Sequence, residues 1–190
     1  MIITRKVEME AHTFEIGDVI HFRMKNGEKA EAVAVHHDPD GTVFCLVDCL
    51  AKEYRMNSRA TNAGGYEGSE LRANLNSEIL ANFPEEITAV LQPFPNGDLL
   101  RIPTEREIFG ENEYGEAEPD TVEQWEPMKD RRHRIAFQGA GTGVWEWYWL
   151  QNAAKHSAAF FALANGDGNC YAYNASSACG VRPVFKIKNP

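Results

Sequence analysis

The 190-residue sequence has no run approaching the roughly 18 consecutive apolar residues that a membrane-crossing helix requires. Its first residues, MIITRKVEMEAHTFEIGD, carry basic side chains but no apolar stretch or small-residue cleavage site, so a standard export signal is not expected. Positive charge is in short supply. Nineteen Lys and Arg against 28 Asp and Glu leave a formal net charge of -9, which argues against the basic face by which nucleic-acid binders release counterions. Cysteine is limited to four residues, at 45, 49, 170 and 179, and without a secretory signal these are expected to be reduced. The expected location is cytoplasmic or virion-associated, with no membrane insertion and no nucleic-acid partner.

Catalytic and cofactor signatures are also missing. The glycine run GAGTGV, with Gly139, Gly141 and Gly143, is followed by no strand-to-helix unit and no Lys-Ser/Thr pair, so it reads as a flexible connection, not a phosphate loop. Between Glu105 and Glu126 there are nine acidic residues and one arginine, without calcium-loop spacing, which suits a solvated loop or insertion over about 111–128. His36-His37 beside Asp38 is the one local histidine cluster, and it falls where a hairpin turns and water can reach it. No elbow motif surrounds any Ser or Cys. The sequence therefore assigns no catalytic residue, no metal ligand and no cofactor.

What is present fits a single domain over residues 1–190. A chain of this length buries roughly 70 % of its unfolded surface, and 43 % hydrophobic with 25 % charged residues is ordinary globular composition. The spacing predicts an antiparallel β-meander from Thr13 to Leu50: TFEIGDVIHFRM, then EKAEAVAVHH after Asn26-Gly27, then TVFCLVDCL after Asp38-Pro39-Asp40-Gly41. Cys45 and Cys49 stand two alternations apart on that third strand and so share a face as small buried hydrophobes. Leu71, Leu75 and Ile79, with Ser69 as N-cap and Pro84 as stop, mark an amphipathic helix. A second short helix fits PEEITAVL, and Thr104 with Glu107 has capping-box spacing after a strand ending near Ile102.

The C-terminal half reads as closely spaced strands: VWEWYWL, AAFFALA, NCYAYN and GVRPVFKIK. Period two puts Trp145, Trp147 and Trp149 on one face, as core or as a platform under a surface. In NCYAYN, small Cys170 and Ala172 alternate with Asn169, Tyr171 and Tyr173, so one face packs while the other displays amides and phenols, the mixture that paratopes favour. In the last strand Val181, Phe185 and Ile187 lie opposite Arg182, Lys186 and Lys188, and Pro183 suggests an edge or a bulge.

GGYEGSELRANLN, IPTEREIFG, WYWLQN and ACGVRPVFKI together resemble a bacterial and prophage family of uncharacterised domains with a C-type-lectin-like fold, over about residues 14–188. That fold is similar to the variable proteins of diversity-generating retroelements and to formylglycine-generating-enzyme-type domains. The resemblance implies an α+β, C-type-lectin-like fold: an N-terminal antiparallel β-meander, one or two helices and a β-rich C-terminal half. From the variable proteins it implies ligand-binding residues between the tryptophan strand and the last strand, here Asn152, Asn165, Asp167, Asn169, Tyr171, Tyr173 and Asn174. The expected partner is a protein or glycan ligand on a cell or phage-host surface. Gln151 stands where the family often has arginine, WEPM lacks the lectin calcium amide, and the enzyme cysteines have no alignable motif. Two alternatives stay open: a formylglycine-generating-type enzyme using Cys170 or Cys179 as thiolate, and an assembly protein whose tryptophan strand makes a homo-oligomer interface.

Overall fold

The computed structural model describes residues 14–188. It is β-rich and mixed α/β, with thirteen strands and a few short helices among the described residues. The first hairpin joins β1 (Val19–Arg23) to β2 (Lys29–Asp38) around Gly27, whose φ of 92° is one that L side chains rarely adopt. A second tight turn leads into β3 (Gly41–Leu46). There a Cβ on Gly41 would stand 2.4 Å from the carbonyl oxygen of Ile187, so only glycine lets the last strand close on this one. The meander follows the expected order, with β1 beginning at Val19; Thr13 lies outside the described residues. Cys49 falls past the end of β3 in a bridge to Gln138, so it does not continue that strand, although it joins Cys45 in one buried cluster.

After β4 (Tyr54–Arg55), three consecutive helical segments span 70–82: α1 (Glu70–Asn74), a π-helical stretch (Leu75–Ile79) and α2 (Leu80–Asn82). Ser69 caps the first by accepting the Arg72 N–H, and Leu71, Leu75 and Ile79 are buried. At the π-helical stretch Asn76 accepts the Leu99 and Leu100 N–H groups at 2.9 and 3.1 Å and donates to the Leu100 carbonyl at 2.8 Å. Arg72 holds Asp98 with two hydrogen bonds at 2.7 and 3.0 Å. The Leu-Arg and Leu-Asn pairs of this helix thus tie it to the segment that follows.

Helix α3 (Glu85–Thr88) begins after Pro84 and gives way to β5 (Leu91–Gln92) and β6 (Leu100–Arg101). The capping box at Thr104 and Glu107 is complete and starts α4 (Glu105–Phe109). A short 3-10 turn (Glu126–Lys129) and α5 (Arg131–Arg134) precede β7 (Ala136–Phe137), β8 (Trp145–Glu146), β9 (Tyr148–Ala153), β10 (Phe160–Ala164), β11 (Cys170–Asn174), β12 (Ala178–Cys179) and β13 (Val184–Lys188).

The last strand is central, not an edge. The main sheet runs β1-β2-β3-β13-β5, with β6 also paired to β13, all antiparallel. Pro183 precedes the first residue of β13 and its carbonyl accepts the Leu46 N–H at 3.0 Å, so the ladder loses no donor. Phe185 sits within 5.6 to 6.2 Å, ring to ring, of Phe22, Phe44 and Phe83, the centre of the larger core cluster. Arg182 and Lys186, on the side opposite Phe185 and Ile187, are both buried. Lys186 reaches Asp38 and Asp40 at 3.2 and 2.7 Å.

The tryptophan segment does not form one strand. Gly180 donates to the Trp147 carbonyl at 2.7 Å and accepts from Trp149 N–H at 3.1 Å, separating β8 from β9. Trp145 is 59 % exposed, Trp147 is half-buried and Trp149 is fully buried. Strand β9 is buried on both sides, with Trp149 in one core cluster and Tyr148 and Leu150 in the other. Among the described residues no helix is long and apolar enough to cross a membrane.

Candidate recognition surface

Strands β9, β10 and β11 form a separate three-stranded sheet in which β11 is an edge. Its register pairs Tyr171 with Leu163 and Tyr173 with Phe161. Cross-strand partners share a face, so the tyrosines extend a core layer of Phe161, Leu163 and Trp149 out to the edge of the sheet. There they emerge 44 % and 39 % exposed. The Trp147 ring meets both at 5.8 and 5.7 Å in edge-to-face geometry, and Tyr114 meets Tyr171 at 5.7 Å. The result is a cluster of four aromatic rings, one strand side of which is open to solvent.

Of the seven expected ligand residues, Tyr171, Tyr173 and Asn169 are exposed along β11 and its entry, and Asp167 stands at the tip of the β10–β11 turn. Asn165 and Asn174 shape turns: the Asn165 side chain accepts the Asp167 and Asn169 N–H groups, and that of Asn174 accepts the N–H and hydroxyl of Ser176. Asn152 belongs elsewhere. It is buried, accepts the Glu105 N–H at 2.7 Å and donates to the Glu116 carbonyl and the Glu118 carboxylate, leaving nothing to offer a ligand. Its place on inward-facing β9, beneath the acidic segment, accounts for this.

The acidic segment is not a free solvated loop. Glu105 is fully buried and accepts the N–H groups of Glu113, Tyr114 and Gly115, each at 2.8 Å, so successive amides form a nest around its carboxylate. The Cys170 thiol donates to the same carboxylate at 2.9 Å. This nest presents Tyr114, the lone aromatic between 110 and 124, to Tyr171. Sequence reasoning missed Tyr114, for which an isolated aromatic in a polar run was the available signal; Trp147, expected in the core or as a platform under a surface, packs against both exposed tyrosines.

On the other side, Trp145 lies over Gly166, where a Cβ would come within 2.1 Å of its ring. Glu146, whose side chain accepts the Trp147 N–H at 2.7 Å, has its carboxyl held above the usual range by burial, with neighbouring Glu53 adding to the effect. All four thiols are buried. Burial, and then the Glu105 carboxylate, push Cys170 far up; burial pushes Cys179 up to about 12 and raises Cys45 and Cys49 as well. Among the described residues no group of three or more His, Cys, Asp or Glu side chains could hold a metal ion.

A cleft of about 460 Å³ lies elsewhere, along Phe94, Trp125, Arg101 and Glu107. Within it Arg101 grips Glu107 at 2.6 and 2.7 Å and stacks over Phe94. Gln151 donates to the Ile102 carbonyl at 2.6 Å.

Fold and surface together define a β-rich, mixed α/β domain that displays an aromatic cluster on a sheet edge. Residues 40–189 match the family described as Domain of unknown function (DUF6273), and the chain belongs to that family. No curated protein and no solved structure matches it.

Proposed function

We infer that this chain is a ligand- or receptor-binding protein that presents its recognition surface on a C-type-lectin-like scaffold. The observation that carries the reading is the exposed Tyr171 and Tyr173 on edge strand β11, flanked by Trp147, Tyr114 and Asn169. Tyrosines held by neighbouring rings give contact area at little conformational cost, and their hydroxyls with nearby amides give direction to hydrogen bonds. Aromatic faces of this kind suit a protein or glycan ligand on a cell or phage-host surface. The scaffold reading is supported by a terminal strand that enters the sheet begun by the first hairpin, and by a second small sheet carrying the surface. A prophage origin and diversification by a retroelement are parts of the same proposal.

The test is capture on a glycan array and a displayed-protein library, comparing the wild-type chain with a variant carrying Asn169→Ala, Tyr171→Ala and Tyr173→Ala. Loss of captured partners is expected from a variant that still unfolds cooperatively, at a lower midpoint because the ring contacts with Trp147 and Tyr114 are gone. Equal capture by both removes the site assignment. A near-repeat of the codons for residues 145–185 beside a reverse transcriptase gene is the expected genomic signature of diversification, and phage tail genes alone would leave a virion role.

A further inference from the structure

Arg182 is 1 % exposed, yet among the described residues no carboxylate lies within 4 Å of it. Its Nε donates to the Leu46 carbonyl at 2.9 Å, and Nη1 donates to the Tyr148 hydroxyl at 3.0 Å and the His133 carbonyl at 3.3 Å. Nη2 has no acceptor among the described residues. A buried cation with no carboxylate in direct contact is costly, and Asp48 on the same cleft acts on it only at longer range.

The same guanidinium lines a second cleft, of about 400 Å³, whose walls are mainly apolar: Val19, Val33, Val47, Met128 and Phe137. The other charged groups on this cleft make contacts of their own. Arg132 pairs with Asp130 at 2.6 Å, Glu31 lies 3.2 Å from His21, and Asp48 accepts the Phe137 N–H at 3.0 Å. His133 turns its Nδ1 to the Pro127 carbonyl at 2.8 Å. A volume in this range and a single unmatched polar group in an apolar wall are the ordinary make-up of a small-molecule site.

We propose that this cleft binds a small carboxylic acid with an apolar body, the carboxylate meeting Nη2 of Arg182 and the body lying along Val19, Val33, Val47 and Phe137. One free amino group permits a single charge-assisted contact, not a two-pronged clamp. The site is distinct from the aromatic surface on β11, and neither reading depends on the other.

The experiment is calorimetric titration of the whole chain at neutral pH with 4-phenylbutanoate and octanoate, each beside its uncharged amide. At least one acid is expected to bind saturably and about tenfold more tightly than its amide, the preference that one hydrogen bond to a charged group supplies. Val19→Trp, at a largely exposed wall position that touches none of the Arg182 hydrogen bonds, is expected to abolish that binding. Arg182→Met is expected to remove the acid preference; should it fail to fold, the acid-to-amide ratio and Val19→Trp decide. Saturable binding by neither acid, equal affinity for acid and amide, or undiminished binding by Val19→Trp each overturns the proposal.

Discussion

Replacing Glu105 by Gln tests whether the proposed recognition surface depends on a buried carboxylate. In the wild-type chain one carboxylate oxygen receives the Glu113 and Tyr114 N–H groups and the Cys170 thiol, and the other receives the Gly115 N–H and the Asn112 amide. A glutamine keeps one acceptor oxygen and turns an NH2 toward donors. Its better orientation keeps the first set and leaves the Gly115 N–H buried without an acceptor. That orphan costs roughly 1–3 kcal/mol, and loss of charge assistance on the remaining bonds brings the total to about 3 kcal/mol. The segment cannot slide to compensate, because even a Cβ on Gly115 would lie 2.3 Å from the Asn152 Cβ. Urea unfolding gives the stability change, and amide exchange at 113–115 shows whether the nest opens locally. A change below about 0.5 kcal/mol with undiminished protection there refutes the account.

Phe185→Ala removes the ring that joins Phe22, Phe44 and Phe83 on central strand β13, and a loss of about 3–5 kcal/mol is expected by denaturant titration. Cys179 is raised to about 12 in the fold and sits near 8.5 when unfolded, so its contribution is fully present below pH 8.5 and falls as pH rises through 12. The unfolded state alone ionises in that window, at up to about 1.4 kcal/mol per pH unit, and Cys179→Ala should flatten the alkaline limb of a stability-versus-pH curve. Cys170→Ser keeps a donor to Glu105 and should retain both stability and partner capture, whereas a thiolate mechanism requires complete loss of activity. Native-state thiol labelling should be uniformly slow, since all four thiols are buried.

Local chemistry was legible in the sequence wherever it was self-contained. Gly27 at a turn, Ser69 before an apolar stripe and Thr104 three residues before Glu107 each determine their own neighbourhood, and the hairpins and helix starts follow. The alternation in NCYAYN was equally local, which is why Tyr171 and Tyr173 emerge on the open face. Errors arose where a distant backbone intervened. Gly180, about thirty residues from Trp147, breaks the tryptophan strand and ends its period of two. Pro183 suggested an edge because nothing nearby showed that β13 starts one residue later and runs between β3 and β5. Glu105 resembled solvated acid because its acceptors' partners come from 112–115 and from β11, neither of which a helix-start pattern encodes.

The same non-local contacts explain how a small scaffold can hold an exposed aromatic strand at a sheet edge. An unsupported edge tends to fray or to recruit a second chain. Here β11 is anchored from below by Cys170 on Glu105, Glu105 is fixed through its own N–H by Asn152 on β9, and the nest that satisfies Glu105 delivers Tyr114 against Tyr171. From above, Trp147 braces Tyr171 and Tyr173 at the point where Gly180 interrupts the strand. The buried polar groups and the strand break therefore have one geometric consequence, which is that the rings are held in place. Rings held in advance would have less conformational freedom to lose on binding, and that preorganisation is what the proposed recognition role requires of this patch.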